Sequence, residues 1–241
     1  AIARDIWYLY KRIENQKNSS TIGKFLIENK DLRHVVRRVF ITDKCDNLIP
    51  AYLRFVKGIV DTQDIDLNVS REMLQNNPAV AKISKSLVGK ILRELKKIAD
   101  KDKAKYIQFW NEFGQVLKEG LYEDLERKDT LLELARFSNN ENDDLISLED
   151  YVNTMDKNQK DIYYIAADTK SQALSSPHLE GFKSKGIKVL VMADPIDQFW
   201  LSMAGQFKEK NFVSNTQGEI DLDNIKSDKK DEKNKDIKKD D

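Results

Sequence analysis

The chain has 241 residues, enough for one large domain or two modest ones that each bury a core. Lysine plus arginine number 41 and aspartate plus glutamate 41, and the zero formal charge excludes a general nucleic-acid-binding surface, which needs a basic excess. No apolar run approaches the roughly eighteen residues of a membrane span, the start lacks a secretory layout, and Cys45 with two distant histidines, His34 and His178, offers neither a disulfide framework nor metal-ligand spacing.

Residues 1–30 open on an aromatic stretch (Ile6, Trp7, Tyr8, Leu9, Tyr10, Ile13) that fits an amphipathic helix, followed by a polar loop. The β-branched run 35–42 predicts a strand. Residues 50–57 predict a short helix with Pro50 in its first turn and Gly58 ending it, and 59–61 and 65–69 are extended or looped segments leading to Ser70. From Val80, apolar residues at Ile83, Leu87, Ile91, Leu95 and Ile98 mark one helical face about five turns long. Tyr106, Phe109, Trp110, Phe113, Val116 and Leu117 repeat the spacing, and Leu121, Leu125, Leu131, Leu132, Ala135 and Phe137 suggest further helices. The polar stretch 138–144 is the best internal boundary, and Ser147 with Asp150 resembles a capping pair.

The remainder alternates. Strands are expected at 162–167, 187–192 and 212–214, with helices opening at Ser176-Pro177, closed by Gly186, and at Asp194-Pro195 through Ala204. Residues 226–241 hold seven lysines and six acids with Ile237 as the sole apolar residue, so disorder is expected. The expected fold class is α/β: two three-layer αβα subdomains joined by a helical connector, with a disordered charged C-terminal tail. The divisions are a lead-in at 1–30, a larger α/β subdomain at 31–79, the connector at 80–146, a small αβα subdomain at 147–217 and a linker at 218–241.

Two places stand out as candidate sites. Ser70 suits a helix N-cap and Glu72 suits the positive end of the helix dipole, but Arg71 puts a cation in the first turn, at a cost of a few tenths to about 1 kcal/mol. An external anion relieves that conflict, because helix N–H groups beside a forked guanidinium make a phosphate site. A solvated surface arginine is the commoner outcome. The second place is the helix after Asp194-Pro195-Ile196-Asp197, where Ile196, Trp200 and Met203 suit a buried stripe. Phe199 lies about 100° around from Trp200, so one aromatic is expected at the surface, where it offers an apolar partner a foothold. No G-x-G-x-x-G, P-loop, G-x-S-x-G or H-E-x-x-H is present, and nine glycines leave little for a phosphate cradle.

Several segments together resemble the middle domain of the ninety-kilodalton heat-shock chaperone family, most like the bacterial HtpG type. They are Arg38-Val39-Phe40-Ile41-Thr42-Asp43, the run from Leu48 to Asp61, Leu67-Asn68-Val69-Ser70-Arg71-Glu72-Met73-Leu74-Gln75, Trp110-Asn111-Glu112-Phe113-Gly114, Leu117-Lys118-Glu119-Gly120, Ser147-Leu148-Glu149-Asp150-Tyr151 and Ser175-Ser176-Pro177-His178-Leu179-Glu180. The resemblance runs from about residue 37 to 212, while residues 1–30 match the family's longer lead-in poorly.

That resemblance implies part of an ATP-dependent, stress-responsive chaperone that binds unfolded or partly folded client proteins. ATP and Mg²⁺ are then held mainly by a separate N-terminal domain, and Arg71, supported by Asn68 and Gln75, reaches the γ-phosphate in trans. Gln198, Phe199, Trp200, Ser202 and Met203 are implied on the client-facing side, toward a dimerising C-terminal domain. The implied partners are clients and those two domains, with no nucleic acid and no membrane, in a homodimer of the bacterial cytoplasm or a related organelle form. The chain starts at Ala1 and ends in a charged tail, which fits a segment of a longer protein with no ATP turnover of its own. The rival is a stand-alone protein-binding module that never meets ATP.

Overall fold

The computed structural model describes residues 32–36, 39–42, 48–62, 78–216 and 225. The chain divides into two compact units, Ala1–Gly120 and Leu121–Asp241. In the first unit, strands β1 (Leu32–Val36), β2 (Val39–Thr42) and β3 (Gly58–Thr62) form a sheet in the order β2-β1-β3. β1 pairs antiparallel with β2, with Val36 opposite Val39, and parallel with β3. The single strand expected over 35–42 is therefore two. β-branched composition marks extended backbone without saying where the chain reverses.

The helix expected over 50–57 is one 3-10 turn, Ala51–Leu53, and Gly58 opens β3 rather than closing a helix. That turn buries Tyr52 and Leu53, and Val56 follows them inward. Two long helices come next, α1 (Pro78–Lys101) and α2 (Lys103–Glu123). Asp102 separates them and caps α2, its carboxylate accepting the Lys105 N–H at 3.0 Å. The buried stripe of α1 is Val80, Val88, Ile91, Leu92, Leu95 and Ala99, rotated from the expected face so that Ile83, Leu87 and Ile98 are only half-buried.

Aromatic packing and one ion pair hold the 3-10 segment to α2. The Phe55 ring stacks on Phe113 at 5.0 Å and meets Phe109 edge-on at 5.3 Å. Arg54 forks onto both carboxylate oxygens of Glu119, one contact being 2.7 Å. The pair is part-exposed and contributes at most about 1 kcal/mol. Within α2, Gly114 allows the buried Trp110 indole to lie flat on the helix, because a Cβ there would come within 2.6 Å of the ring.

The second unit starts from α3 (Lys128–Leu134) and is built on six strands: β4 (Arg136–Asn139), β5 (Ile146–Ser147), β6 (Ile162–Ala166), β7 (Leu190–Met192), β8 (Gln206–Phe207) and β9 (Lys210–Ser214). Their order is β5-β4-β7-β6-β9-β8. β6 is parallel to both β7 and β9, while β4 and the outer strands pair antiparallel. Phe137, expected on a helix, lies in β4, where burial alternates along Arg136-Phe137-Ser138-Asn139 with the strand period of two.

Helices cover both faces of this sheet, giving the three-layer arrangement expected. On one face Tyr163, Ile165 and Val191 pack under Ala173 of α5 (Lys170–Leu174), Leu179 of the 3-10 turn Pro177–Leu179 and Phe182 of α6 (Glu180–Ser184). On the opposite face Trp200 of α7 (Asp197–Ala204) meets Phe137 at 5.9 Å and Phe212 at 5.6 Å. Phe212 sits beside Ile162 in register, which fixes that side as the reverse of the Tyr163 face. α5 was not foreseen from the sequence; Thr169 caps it by accepting the Gln172 N–H at 3.2 Å.

Local chemistry sets the ends of these elements. Ser147 caps α4 (Leu148–Asn153) as expected, its hydroxyl accepting the Asp150 N–H at 2.9 Å. Gly186, at φ 66°, closes α6: its N–H reaches the Lys183 carbonyl at 3.1 Å and the Ile187 N–H reaches the Phe182 carbonyl at 2.8 Å. Ile187 and Phe182 then meet in the core, the apolar contact that accompanies this stop. The turn between β8 and β9 places Lys208 and Glu209 at φ 48° and 62°, a conformation that glycine and asparagine enter more cheaply. Lys208 also pairs with Glu149 at 2.6 Å.

Beneath the sheet end, Tyr151 is buried and its hydroxyl is saturated. It donates to the Lys188 carbonyl at 2.7 Å and accepts the Tyr163 N–H at 3.0 Å and the Gln159 amide at 3.1 Å. Burial pushes its ionisation well above the usual phenol range. Ile225, inside the stretch 218–241 expected to be a disordered linker, is 6% exposed and packs in the cluster of Tyr163, Ile165 and Val189. An apolar residue flanked by charge is enough to return the chain to the core.

Candidate functional site

Arg71, Asn68 and Gln75 lie outside the described residues. The structure describes what brackets them: β3 ends at Thr62 and α1 begins at Pro78. Among the described residues no group of three or more histidine, cysteine, aspartate or glutamate side chains is gathered for a metal ion.

The second candidate place is described in full. α7 is eight residues long and sorts its side chains by helical phase. Asp197, Trp200 and Ala204, at i, i+3 and i+7, form the buried stripe. The Trp200 indole N–H donates to Asp197 Oδ1 at 2.7 Å, and the Asp194 N–H donates to Asp197 Oδ2 at 3.1 Å. A carboxylate buried at a helix start is tolerable on these terms, since both oxygens are bonded and the dipole favours the negative charge. At the other end Lys128 Nζ donates to the Ala204 carbonyl at 2.8 Å, a cation on a helix C-terminus. α7 is thus pinned at both ends.

Pinning decides what faces outward. Gln198, Phe199, Ser202 and Met203 are exposed, with Phe199 at 57% and Met203 at 41%. The Ser202 hydroxyl is satisfied by its own helix, donating to the Phe199 carbonyl at 2.8 Å. Phe199 and Met203, four apart, make an apolar ridge. Trp200, implied on the client-facing side, is fully buried, so it supports the ridge from beneath and presents no surface. Met203, which suits a buried stripe with Ile196 and Trp200, is exposed because the stripe continues to Ala204, one position on.

Sequence reasoning missed the neighbour of this ridge. Tyr122, near the end of α2, is 49% exposed and meets Phe199 edge-on at 6.2 Å. The signal was available: Tyr122 follows the buried Leu121 and lies about 100° around from it, the same relation that separates Phe199 from Trp200.

The chain matches the family model described as Hsp90 protein across residues 12–241. It is 53% identical over 192 residues to the chaperone protein HtpG of Paramagnetospirillum magneticum, covering 80% of this chain and 31% of that protein. The HtpG of Roseobacter denitrificans is 46% identical over 230 residues, covering 91% and 37%. Among solved structures, the middle domain of a putative heat shock protein of Plasmodium falciparum superposes with a TM-score of 0.69 at 32% identity, covering 81% of this chain and 78% of that one. The chain spans about a third of the length of the curated relatives it matches.

Proposed function

The chain belongs to the Hsp90 protein family and corresponds to a middle domain of it, and we propose that it works inside a full-length chaperone as both ATP sensor and client holder. In this reading a separate N-terminal domain holds ATP and Mg²⁺. Arg71 is delivered to the γ-phosphate from the helix start that Ser70 caps, with Asn68 and Gln75 shaping the same loop. The guanidinium neutralises charge that develops as the phosphoryl group leaves. It also favours the closed arrangement, because ATP offers it a contact that ADP lacks. Lysine does not replace it, having no planar fork.

Clients, in the same reading, rest on Gln198, Phe199, Ser202 and Met203. The observation that supports this is the exposed Phe199–Met203 ridge on a helix whose other side is anchored by Trp200 and Asp197. A rigid helix loses little conformational freedom when its apolar side chains are covered, so more of the contact energy is retained. Among the described residues no helix is long and apolar enough to cross a membrane. We assign the working protein to the bacterial cytoplasm, as a homodimer joined through a C-terminal domain.

Two substitutions in the full-length protein test the reading. Arg71→Ala is expected to lower ATP turnover roughly a hundredfold with nucleotide affinity nearly unchanged, the pattern of a group that acts in the transition state. Phe199→Ala is expected to leave turnover in place and weaken suppression of client aggregation. Unchanged turnover in the first removes the sensor role, and unchanged client protection in the second removes the ridge.

A further inference from the structure

The large apolar side chains exposed among the described residues are Tyr122, Leu125, Phe199 and Met203, all in the second unit. Three of the four gather at α7. Tyr122 meets Phe199 with ring centroids 6.2 Å apart and ring planes at 71°, and Met203 stands one turn beyond Phe199 on the same side of the helix. The ring contact has a second tether, since Lys128 Nζ holds the Ala204 carbonyl at 2.8 Å and the chain from 122 to 128 is thereby laid along α7 at two points. These points are five residues apart on the helix, about 7.5 Å of its length.

The outward chemistry of this cluster is two rings and a thioether, and α7 carries no charge from Gln198 to Ala204. Phe199 remains more than half exposed with Tyr122 already against it, so a further ring has room to join the pair. Aromatic rings are negative on their faces and positive at their edges, and a ring added edge-to-face or offset gains more than its buried area supplies. A thioether sulfur adds to the attraction for a ring. A saturated side chain of the same size obtains the burial and none of these extra terms.

We propose that Tyr122 is a positioning residue of the client ridge: it sets the Phe199 ring so that Phe199 and Met203 receive an aromatic side chain, and the ridge thereby selects unfolded segments bearing phenylalanine, tyrosine or tryptophan over those bearing aliphatic residues of equal size. This rests on the client reading of Phe199 above. Tyr122 narrows the positions open to the Phe199 ring before a client arrives, so less freedom is lost on contact. The selection is a difference between two ligands that bury the same surface.

Fluorescence anisotropy on the full-length protein tests this with two labelled peptides of otherwise identical sequence, one carrying phenylalanine at each apolar position and the other cyclohexylalanine, its saturated counterpart. Burial alone predicts equal binding or a preference for the saturated ring, whereas the proposal expects the phenylalanine peptide to bind roughly fivefold tighter. Tyr122→Leu should remove most of that gap by weakening the phenylalanine peptide, and Tyr122→Phe should restore it. Equal or tighter binding of the cyclohexylalanine peptide, or an undiminished gap in Tyr122→Leu, overturns the proposal. Should Phe199→Ala still weaken both peptides in that case, the client reading survives; should it bind like wild type, that reading falls too. A cluster covered by a second copy or by another domain is also an overturning result, seen as a change in sedimentation of Tyr122→Leu with no peptide present.

Discussion

The two units solve one problem, burying an indole against a helix, by opposite means. Trp110 in the first unit is accommodated by a missing atom: Gly114 lacks the Cβ that would strike the ring. Trp200 in the second is held by an added partner, the carboxylate of Asp197. Among the described residues Trp110 is located by ring packing, with Tyr106 at 6.4 Å, and by the close approach to Gly114. Trp200 is located by shape and by a charge-assisted hydrogen bond, so its helix is fixed in rotation as well as in depth. The second solution leaves the opposite face of a helix dependable enough to present Phe199.

The contrast can be broken most strongly at Trp200. Trp200→Phe keeps a ring but removes the donor, leaving a buried carboxylate with one fewer partner and a small void, and should cost about 3 kcal/mol in urea unfolding. Trp110→Phe, with no comparable bond to lose, should cost clearly less. An equal loss at both sites would show that the hydrogen bond adds nothing beyond packing.

Tyr151→Phe sharpens the same point within the second unit, because it takes a partner from the Lys188 carbonyl and the Tyr163 N–H at once, while the Gln159 amide keeps its bond to the Asp161 carbonyl at 2.8 Å. We expect a loss of about 2 kcal/mol at neutral pH. The pH dependence follows from the raised ionisation of Tyr151. Below its ordinary value of 10.0 the phenol is neutral in both states and its contribution is complete. Above that value the unfolded chain ionises first, so stability falls as pH rises toward the folded-state value. The gap between wild type and Tyr151→Phe should therefore be constant from pH 6 to about 9 and narrow above 10; a gap that stays constant through pH 11 would refute the assignment.

The smallest effect belongs to Gly114→Ala. Helix propensity favours alanine by up to about 1 kcal/mol, but the added Cβ meets the body of a buried indole that cannot swing aside. A net loss of about 1 kcal/mol is expected, with a shift in Trp110 fluorescence that the propensity effect alone would not produce. A gain in stability without that shift would mean the ring moves freely.

What the sequence disclosed follows the range of the forces involved. Caps were readable because they are local: Ser147 bonds three residues ahead, and Gly186 serves a stop whose bonds span five residues. The 3.6-residue period revealed α1 and α2 but misphased the buried stripe of α1, since Val88 and Leu92 are chosen by what packs against them. In α7 the geometry required one of Phe199 and Trp200 to face out, and it was the distant partners Phe137 and Phe212 that chose Trp200 for the interior. Short strands such as β4 and β5 carry too few residues to declare a period and exist through pairing. Arg71, legible as a charge out of place on a helix, remains the reading of a sequence pattern.

Ile225 bears on how load would travel through the second unit. By chain order alone, a pull on residues beyond 225 would arrive at the edge hairpin of β8 and β9. Because Ile225 is seated among Tyr163, Ile165 and Val191, the pull enters instead at β6 and β7, the innermost strands of the sheet, where pairs on both sides share it. Seated there, Ile225 would act as a cable clamp, spreading a pull through the middle of the unit before it could peel the margin.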